Sequence, residues 1–144
     1  MKIVGKSDIG KVRAKNEDQY AIIREKDGVF VLVCDGIGGH AAGEKASHLV
    51  AKHFKTNFKI HMPFTHVNHV KEHVEMLVQQ ANDLLIKQAQ THKNQQGMGT
   101  TFVGLYVSKE FTVLVNAGDS RCYGFKDDRL TLLSEDHSYV NQLV

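Results

Sequence analysis

The sequence is poor in the residues that mark several large classes of protein. It has two cysteines, one proline and no tryptophan in 144 residues. Two cysteines are too few for a disulfide-stabilised secreted scaffold and favour a reducing compartment. The longest apolar run covers only residues 29–34, whereas a membrane-spanning helix needs about 20 apolar residues. Because the first residues, MKIVGK, also lack an apolar signal segment, we predict a cytoplasmic protein without a membrane partner.

Concentrated charge is missing as well. Lysine and arginine number 18 against 16 acidic residues, and no run of basic residues exceeds two. Nucleic-acid-binding domains usually carry a basic patch, so no nucleic-acid partner is expected. The composition, 42% hydrophobic and 24% charged, is that of a globular protein. We predict one domain over residues 1–144.

Hydrophobic periodicity predicts strands in both outer thirds of the chain and helices between them. The strands are expected at 19–24, 29–34, 101–107, 111–116, 121–125 and 130–133, and the helices at 43–58 and 65–92. Residues 29–34 lack polar alternation, so this strand is predicted to be buried on both faces and to end in a turn at 35–39. The order strands, helices, strands favours an α+β fold with mainly antiparallel sheet.

Acidic residues stand where the predicted strands begin or end. Glu17 and Asp18 precede the first strand, Asp35 follows the second, and Asp119 lies between two later strands. Gly36 adds a backbone carbonyl that no side chain shields. Carboxylate and carbonyl oxygens suit a hard divalent cation such as Mg²⁺ or Mn²⁺. Taken singly, each acid is more typical of a turn or a helix cap than of a metal ligand.

Three glycine-rich or cysteine-containing patterns were compared with known phosphate-binding loops. The segment 34–40 resembles a thiol phosphatase loop, but His40 stands where that loop needs arginine. The segment 38–44 begins like a P-loop, but Glu44 replaces the phosphate-binding lysine. Gly36-x-Gly38-x-x-Ala41 matches a loose dinucleotide fingerprint without the expected acidic residue about twenty positions on. Nucleotide binding stays only a weak alternative.

Histidines recur at helical spacing in the second predicted helix. They are His66, His69 and His73. Two histidines one helical turn apart can bind zinc. We expect a solvated helix face instead, because no other ligand pattern accompanies them.

Five segments, in order along the chain, resemble motifs of the metal-dependent protein serine/threonine phosphatases of the PPM family, also called PP2C, in their bacterial form. They cover residues 7–18, 33–47, 97–101, 116–121 and 130–141. The second contains DGIGGH at 35–40, similar to the family's Asp-Gly-Met-Gly-Gly-His. The resemblance implies an α-β-β-α sandwich of mainly antiparallel sheets flanked by helices.

The resemblance also implies a set of metal ligands. Asp35 would bridge two Mn²⁺ or Mg²⁺ ions, and the Gly36 carbonyl and Glu17 would ligate one of them. Asp18 would hold metal-bound water, and Asp119 would help to hold a third ion. Groups of this kind orient ligands and tune the bound water.

The remaining roles concern the substrate, which the resemblance implies to be phosphoserine or phosphothreonine in proteins. Arg13 would bind the phosphate, because a guanidinium can donate two hydrogen bonds to it. His40 would be the general acid for the leaving alkoxide. Water activated by two metal ions would attack the phosphorus. The partners would be phosphorylated proteins, the substrates of a serine/threonine kinase.

The sequence departs from the family at the C-terminal side. In the family, two further aspartates complete the metal site, one in an Asp-Gly segment and one in an Asp-Asn pair. Neither has a counterpart here, since no Asp-Asn pair occurs and the two Asp-Gly pairs, at 27–28 and 35–36, belong to other parts of the chain. We therefore expect the N-terminal part of a phosphatase domain, incomplete at its C-terminus, with the start of a helix at 138–144. The alternative is a catalytically incomplete module that binds a phosphoprotein or another partner.

Overall fold

The structure is a computed structural model that describes residues 1–24, 27–38, 42–58 and 64–137. Within these ranges the chain forms two α-helices and seven strands of mainly antiparallel sheet, which confirms the predicted α+β class. In chain order the elements are β1 (Asp18–Arg24), β2 (Gly28–Ile37), α1 (Ala42–Asn57), α2 (Val67–Thr91), β3 (Gly99–Thr100), β4 (Phe102–Ser108), β5 (Thr112–Ala117), β6 (Tyr123–Lys126) and β7 (Arg129–Leu132). The predicted helix start at 138–144 lies outside the described residues.

The larger sheet has the order β1-β2-β4-β5, with every pair antiparallel, and β3 pairs with the end of β2. β6 and β7 form a separate hairpin. In the register of β1 and β2, Asp18 lies opposite Asp35. Because the end of β2 pairs with β1 on one side and with β3 on the other, residues of these three strands meet at one end of the sheet.

The two helices cover one face of the larger sheet. Helix α1 forms because Ala46, Val50 and Phe54 recur every four residues and give it one apolar face, which is buried. Phe30 of β2 packs among the aromatic rings there, with its centroid 4.2 Å from that of Phe58 and 5.7 Å from that of Phe54. Burial of a side chain of this size stabilises a fold by about 1.5–3 kcal/mol.

The opposite face of the sheet is apolar but only partly covered. Val33 is 45% exposed and Tyr20 is 38% exposed, while Val31 is half-buried. The prediction that residues 29–34 are buried on both faces was therefore wrong. Apolar side chains point to both faces of this strand, but within the described residues the helices pack on only one of them.

Two further sequence predictions need correction. Strand β2 does not end before Asp35: it runs to Ile37, because Asp35 pairs with Asp18 on one side and Gly36 pairs with Thr100 on the other. His66, which precedes α2, and His69 on α2 are exposed as predicted, but His73 is buried beside Phe58 and Phe64. The search of the described residues for a helix long and apolar enough to cross a membrane finds none.

Candidate metal centre

A pair of carboxylates marks one end of the larger sheet. Asp18 and Asp35 are directly opposite residues of an antiparallel pair, and such residues have Cβ atoms about 4.5–5.5 Å apart on the same face of the sheet. The pKa of Asp35 is raised above its ordinary value. Partial desolvation of the carboxyl is the largest cause, and the neighbouring Asp18 carboxyl adds to it. A cation bound here would stabilise the ionised carboxylates and so offset both causes of the raised pKa.

Glu17 and Gly36 are fixed by a close approach between β2 and α1. The Gly36 N–H donates to the Glu17 carbonyl at 3.1 Å, and the buried Ser47 hydroxyl donates to the same oxygen at 2.6 Å. A Cβ built on Gly43 would lie 2.9 Å from the Gly36 carbonyl oxygen and 3.0 Å from Glu17 Oε1. The Glu17 carboxylate and the Gly36 carbonyl therefore border the same small space, which exists because residue 43 is glycine.

Asp119 occupies the loop between β5 and β6. Gly118 has a φ of +106°, a left-handed conformation that glycine adopts without strain. Its carbonyl accepts a hydrogen bond of 2.9 Å from the His137 N–H. The negative charge of Asp119 contributes to the raised pKa of Asp35, which places the two carboxylates within electrostatic range. Asp119 itself is exposed, so its side chain is accessible to a ligand.

Arg13 lies in the irregular segment before β1. Its side chain is exposed, and its positive charge partly offsets the upward shift in the pKa of Asp35. Of the predicted site residues, the structure therefore brings Arg13, Asp18 and Asp119 into the electrostatic environment of Asp35. His40 lies outside the described residues.

The donor set fits a hard divalent cation, because every predicted ligand presents oxygen. Within the described ranges no group of three or more acidic, histidine or cysteine residues converges as a metal-binding cluster. Mg²⁺ commonly keeps several waters and uses only one or two protein carboxylates. The arrangement thus fits an open cation site whose coordination is only partly supplied by these residues.

Comparison with known proteins identifies the family. The family model described as Protein phosphatase 2C matches residues 4–144. The chain belongs to the protein phosphatase 2C family. A Listeria welshimeri relative, "Serine/threonine phosphatase stp", is 32% identical over 140 residues, which make up 96% of this chain and 56% of the relative. The chain thus spans about half the length of this relative.

Solved structures of the family agree with the fold. Serine/threonine phosphatase Stp1 from Staphylococcus aureus superposes with a TM-score of 0.85 at 34% identity, covering 94% of this chain and 54% of that one. The catalytic domain of the serine/threonine protein phosphatase PstP, in complex with two manganese ions, gives a TM-score of 0.80 at 32% identity, covering 96% and 56%. Metal binding at this fold is thereby shown for a relative.

Sequence reasoning did not identify two hydroxyl groups that hold the site together. Ser47 binds the Glu17 carbonyl, and Thr101 binds both backbone polar groups of Asp35. Both residues lie in segments noted for their resemblance to the family, 33–47 and 97–101, but their hydrogen bonds were not predicted. A buried hydroxyl leaves little signal in a sequence, because its partners here are 30 and 66 residues away.

Proposed function

We propose that this chain forms the N-terminal part, residues 1–144, of a phosphatase domain that hydrolyses phosphoserine and phosphothreonine in proteins. The observation that carries the proposal is the Asp18–Asp35 pair beside Glu17 and the Gly36 carbonyl, in a chain of the protein phosphatase 2C family. The chemistry of these oxygens favours Mn²⁺ or Mg²⁺ as the cofactor. Phosphorylated proteins are the proposed partners, and the cytoplasm is the proposed location.

One group of proposed roles concerns the metal ions and the water bound to them. In the proposal, Asp35 would be a ligand of the two ions, Glu17 and the Gly36 carbonyl would help to hold one of them, and Asp119 would help to hold a third. The ions, when bound, supply an activated water at neutral pH and neutralise charge that develops on the phosphoryl group. Asp18 would help to hold and orient the metal-bound water.

Arg13 and His40 act on the substrate in this proposal. Arg13 is exposed and lies near Asp35, so its guanidinium can hold a phosphate beside the carboxylates through two parallel hydrogen bonds. His40 gives a proton to the leaving serine or threonine oxygen, for which an imidazole has a suitable ordinary pKa. Neither role requires a covalent intermediate on the protein.

Manganese binding tests the metal-site part of the proposal directly. Binding to the 144-residue chain is measured by electron paramagnetic resonance for the wild type, Asp35→Ala and the control Asp83→Ala. Asp83 is an exposed acid on α2. We expect Asp35→Ala to lower the affinity at least tenfold, because it removes the bridging ligand, and Asp83→Ala to leave it unchanged. Equal affinity in the wild type and Asp35→Ala would refute the assignment.

Turnover is a separate measurement. We expect little or no Mn²⁺-dependent hydrolysis of a phosphoserine peptide by the 144-residue chain, because the two further aspartates that complete the family's metal site have no counterpart in it. Rapid turnover would show that the ligands present are sufficient. Tight binding of the phosphopeptide without turnover would favour the alternative, a phosphoprotein-binding module.

A further inference from the structure

We propose that Thr101 is a positioning residue whose hydroxyl ties Asp35 to the Asp119 loop, so that both carboxylates keep a fixed relation. The proposal rests on the proposed function, in which these two acids serve neighbouring ions. It concerns a residue that binds neither ion nor substrate itself. Its action is through the backbone of Asp35 on one side and through Ser120 on the other.

Thr101 satisfies both backbone polar groups of Asp35. The Asp35 N–H donates to Thr101 Oγ1 at 2.9 Å, and the Thr101 N–H donates to the Asp35 carbonyl at 2.9 Å. Thr101 is 3% exposed, so water does not compete for these bonds. The Thr100 hydroxyl also donates to the Asp35 carbonyl at 2.9 Å, so Thr101 is the residue that binds the Asp35 N–H, and it shares the Asp35 carbonyl with Thr100.

The same hydroxyl also reaches the Asp119 loop. Thr101 Oγ1 and Ser120 Oγ are 2.6 Å apart. Either hydroxyl can be the donor of this bond. Because Thr101 Oγ1 also accepts from the Asp35 N–H, the two hydrogen bonds form a continuous chain from Asp35 to Ser120. Gly118 packs against Thr101, since a Cβ there would lie 2.9 Å from Thr101 Cγ2.

Asp119 is thus anchored on both sides. Gly118 before it accepts a hydrogen bond from His137, and the hydroxyl of Ser120 after it forms one with that of Thr101. Divalent cations such as Mg²⁺ tolerate little variation in ligand distance, and loss of a group that orients a ligand typically lowers metal affinity 10–100-fold. Loss of the Ser120 hydrogen bond should therefore lower the affinity for an ion that Asp119 ligates.

Amide hydrogen exchange tests the hydrogen-bond chain without any metal. Ser120→Ala should accelerate exchange of the Asp35 N–H severalfold, because the Thr101 hydroxyl that accepts from this N–H loses the hydrogen-bond partner that orients it. Thr101→Val should accelerate it further, and Thr101→Ser should restore the wild-type rate. Thr112→Val, at an exposed position of β5, is the matched control. An unchanged Asp35 rate in Ser120→Ala would overturn the proposal.

A double-mutant cycle in manganese affinity tests the functional consequence. Thr101→Val and Ser120→Ala should each lower the affinity of the weakest Mn²⁺ site about tenfold, and the double variant should be no weaker than either single variant. Additive losses would overturn the coupling. Absence of Mn²⁺ binding in the wild type would instead refute the proposed function, and the exchange measurement would still decide the role of Thr101.

Discussion

The contact between Gly36 and Gly43 allows the cost of one added methyl group to be worked out. A Cβ at residue 36 would lie 2.1 Å from the Gly43 carbonyl oxygen and 2.4 Å from its carbon. Real Cβ contacts stay beyond about 3 Å, so β2 and α1 would have to separate by nearly 1 Å. The obstructing atoms are backbone and cannot rotate away. We therefore expect Gly36→Ala to lower the free energy of unfolding by about 3 kcal/mol, the upper end for overpacking.

Thermal and urea unfolding of the 144-residue chain measure this loss. About 3 kcal/mol corresponds to a fall in Tm of roughly 10 °C for a chain of this size. Gly99→Ala is the matched control, because Gly99 lies in β3 at the same end of the sheet and a Cβ there meets nothing within 4 Å. It should be neutral or slightly stabilising. Equal stability of the two variants would show that β2 and α1 separate freely and would refute the steric reasoning.

Three other perturbations follow from burial and charge. Asp35→Asn should raise the free energy of unfolding at pH 7 in the absence of metal. The pKa of Asp35 is raised in the folded state, so wild-type stability falls as pH rises above the ordinary aspartate range. In urea unfolding from pH 3 to 8, the difference in stability between Asp35→Asn and the wild type should vanish at the acid end. Phe30→Ala should cost roughly 3–5 kcal/mol in the same assay. Burial raises the pKa of Cys34 to about 12, so a thiol reagent at pH 8 should modify the native chain at Cys122 only, and both cysteines after denaturation.

The helices were predictable because their apolar residues keep one period over many turns. Helix α1 was expected at 43–58 and is Ala42–Asn57, and α2 was expected at 65–92 and is Val67–Thr91. The end of β2 was not predictable in this way. Its local residues, Asp35 and Gly36, favour a turn, but pairing with β1 and β3 holds them in the sheet. Such pairing depends on residues distant in sequence.

The acids of the site could be located from the sequence, but their supports could not. Acidic residues next to glycines stand out in a motif, and the structure places Asp18 directly opposite Asp35. The hydroxyls of Ser47 and Thr101 acquire their roles only when folding brings them to Glu17 and Asp35. Both residues lie in segments that resemble the family's motifs, 33–47 and 97–101, but that resemblance does not indicate which backbone groups they bind. The roles assigned to Arg13, His40 and the other site residues stay predictions until metal and substrate binding are measured.

The order of the sheet has a consequence for how the site forms and opens. Within the described residues β1 is an outer strand with one neighbour, whereas β2 is paired on both sides. Asp18 is the first residue of this outer strand and Glu17 precedes it, so the position of both acids in the site depends on the pairing of β1 with β2. A cation that binds only when both strands are joined would stabilise that joined state by mass action. In this chain, binding of the ion and pairing of β1 with β2 would then be coupled.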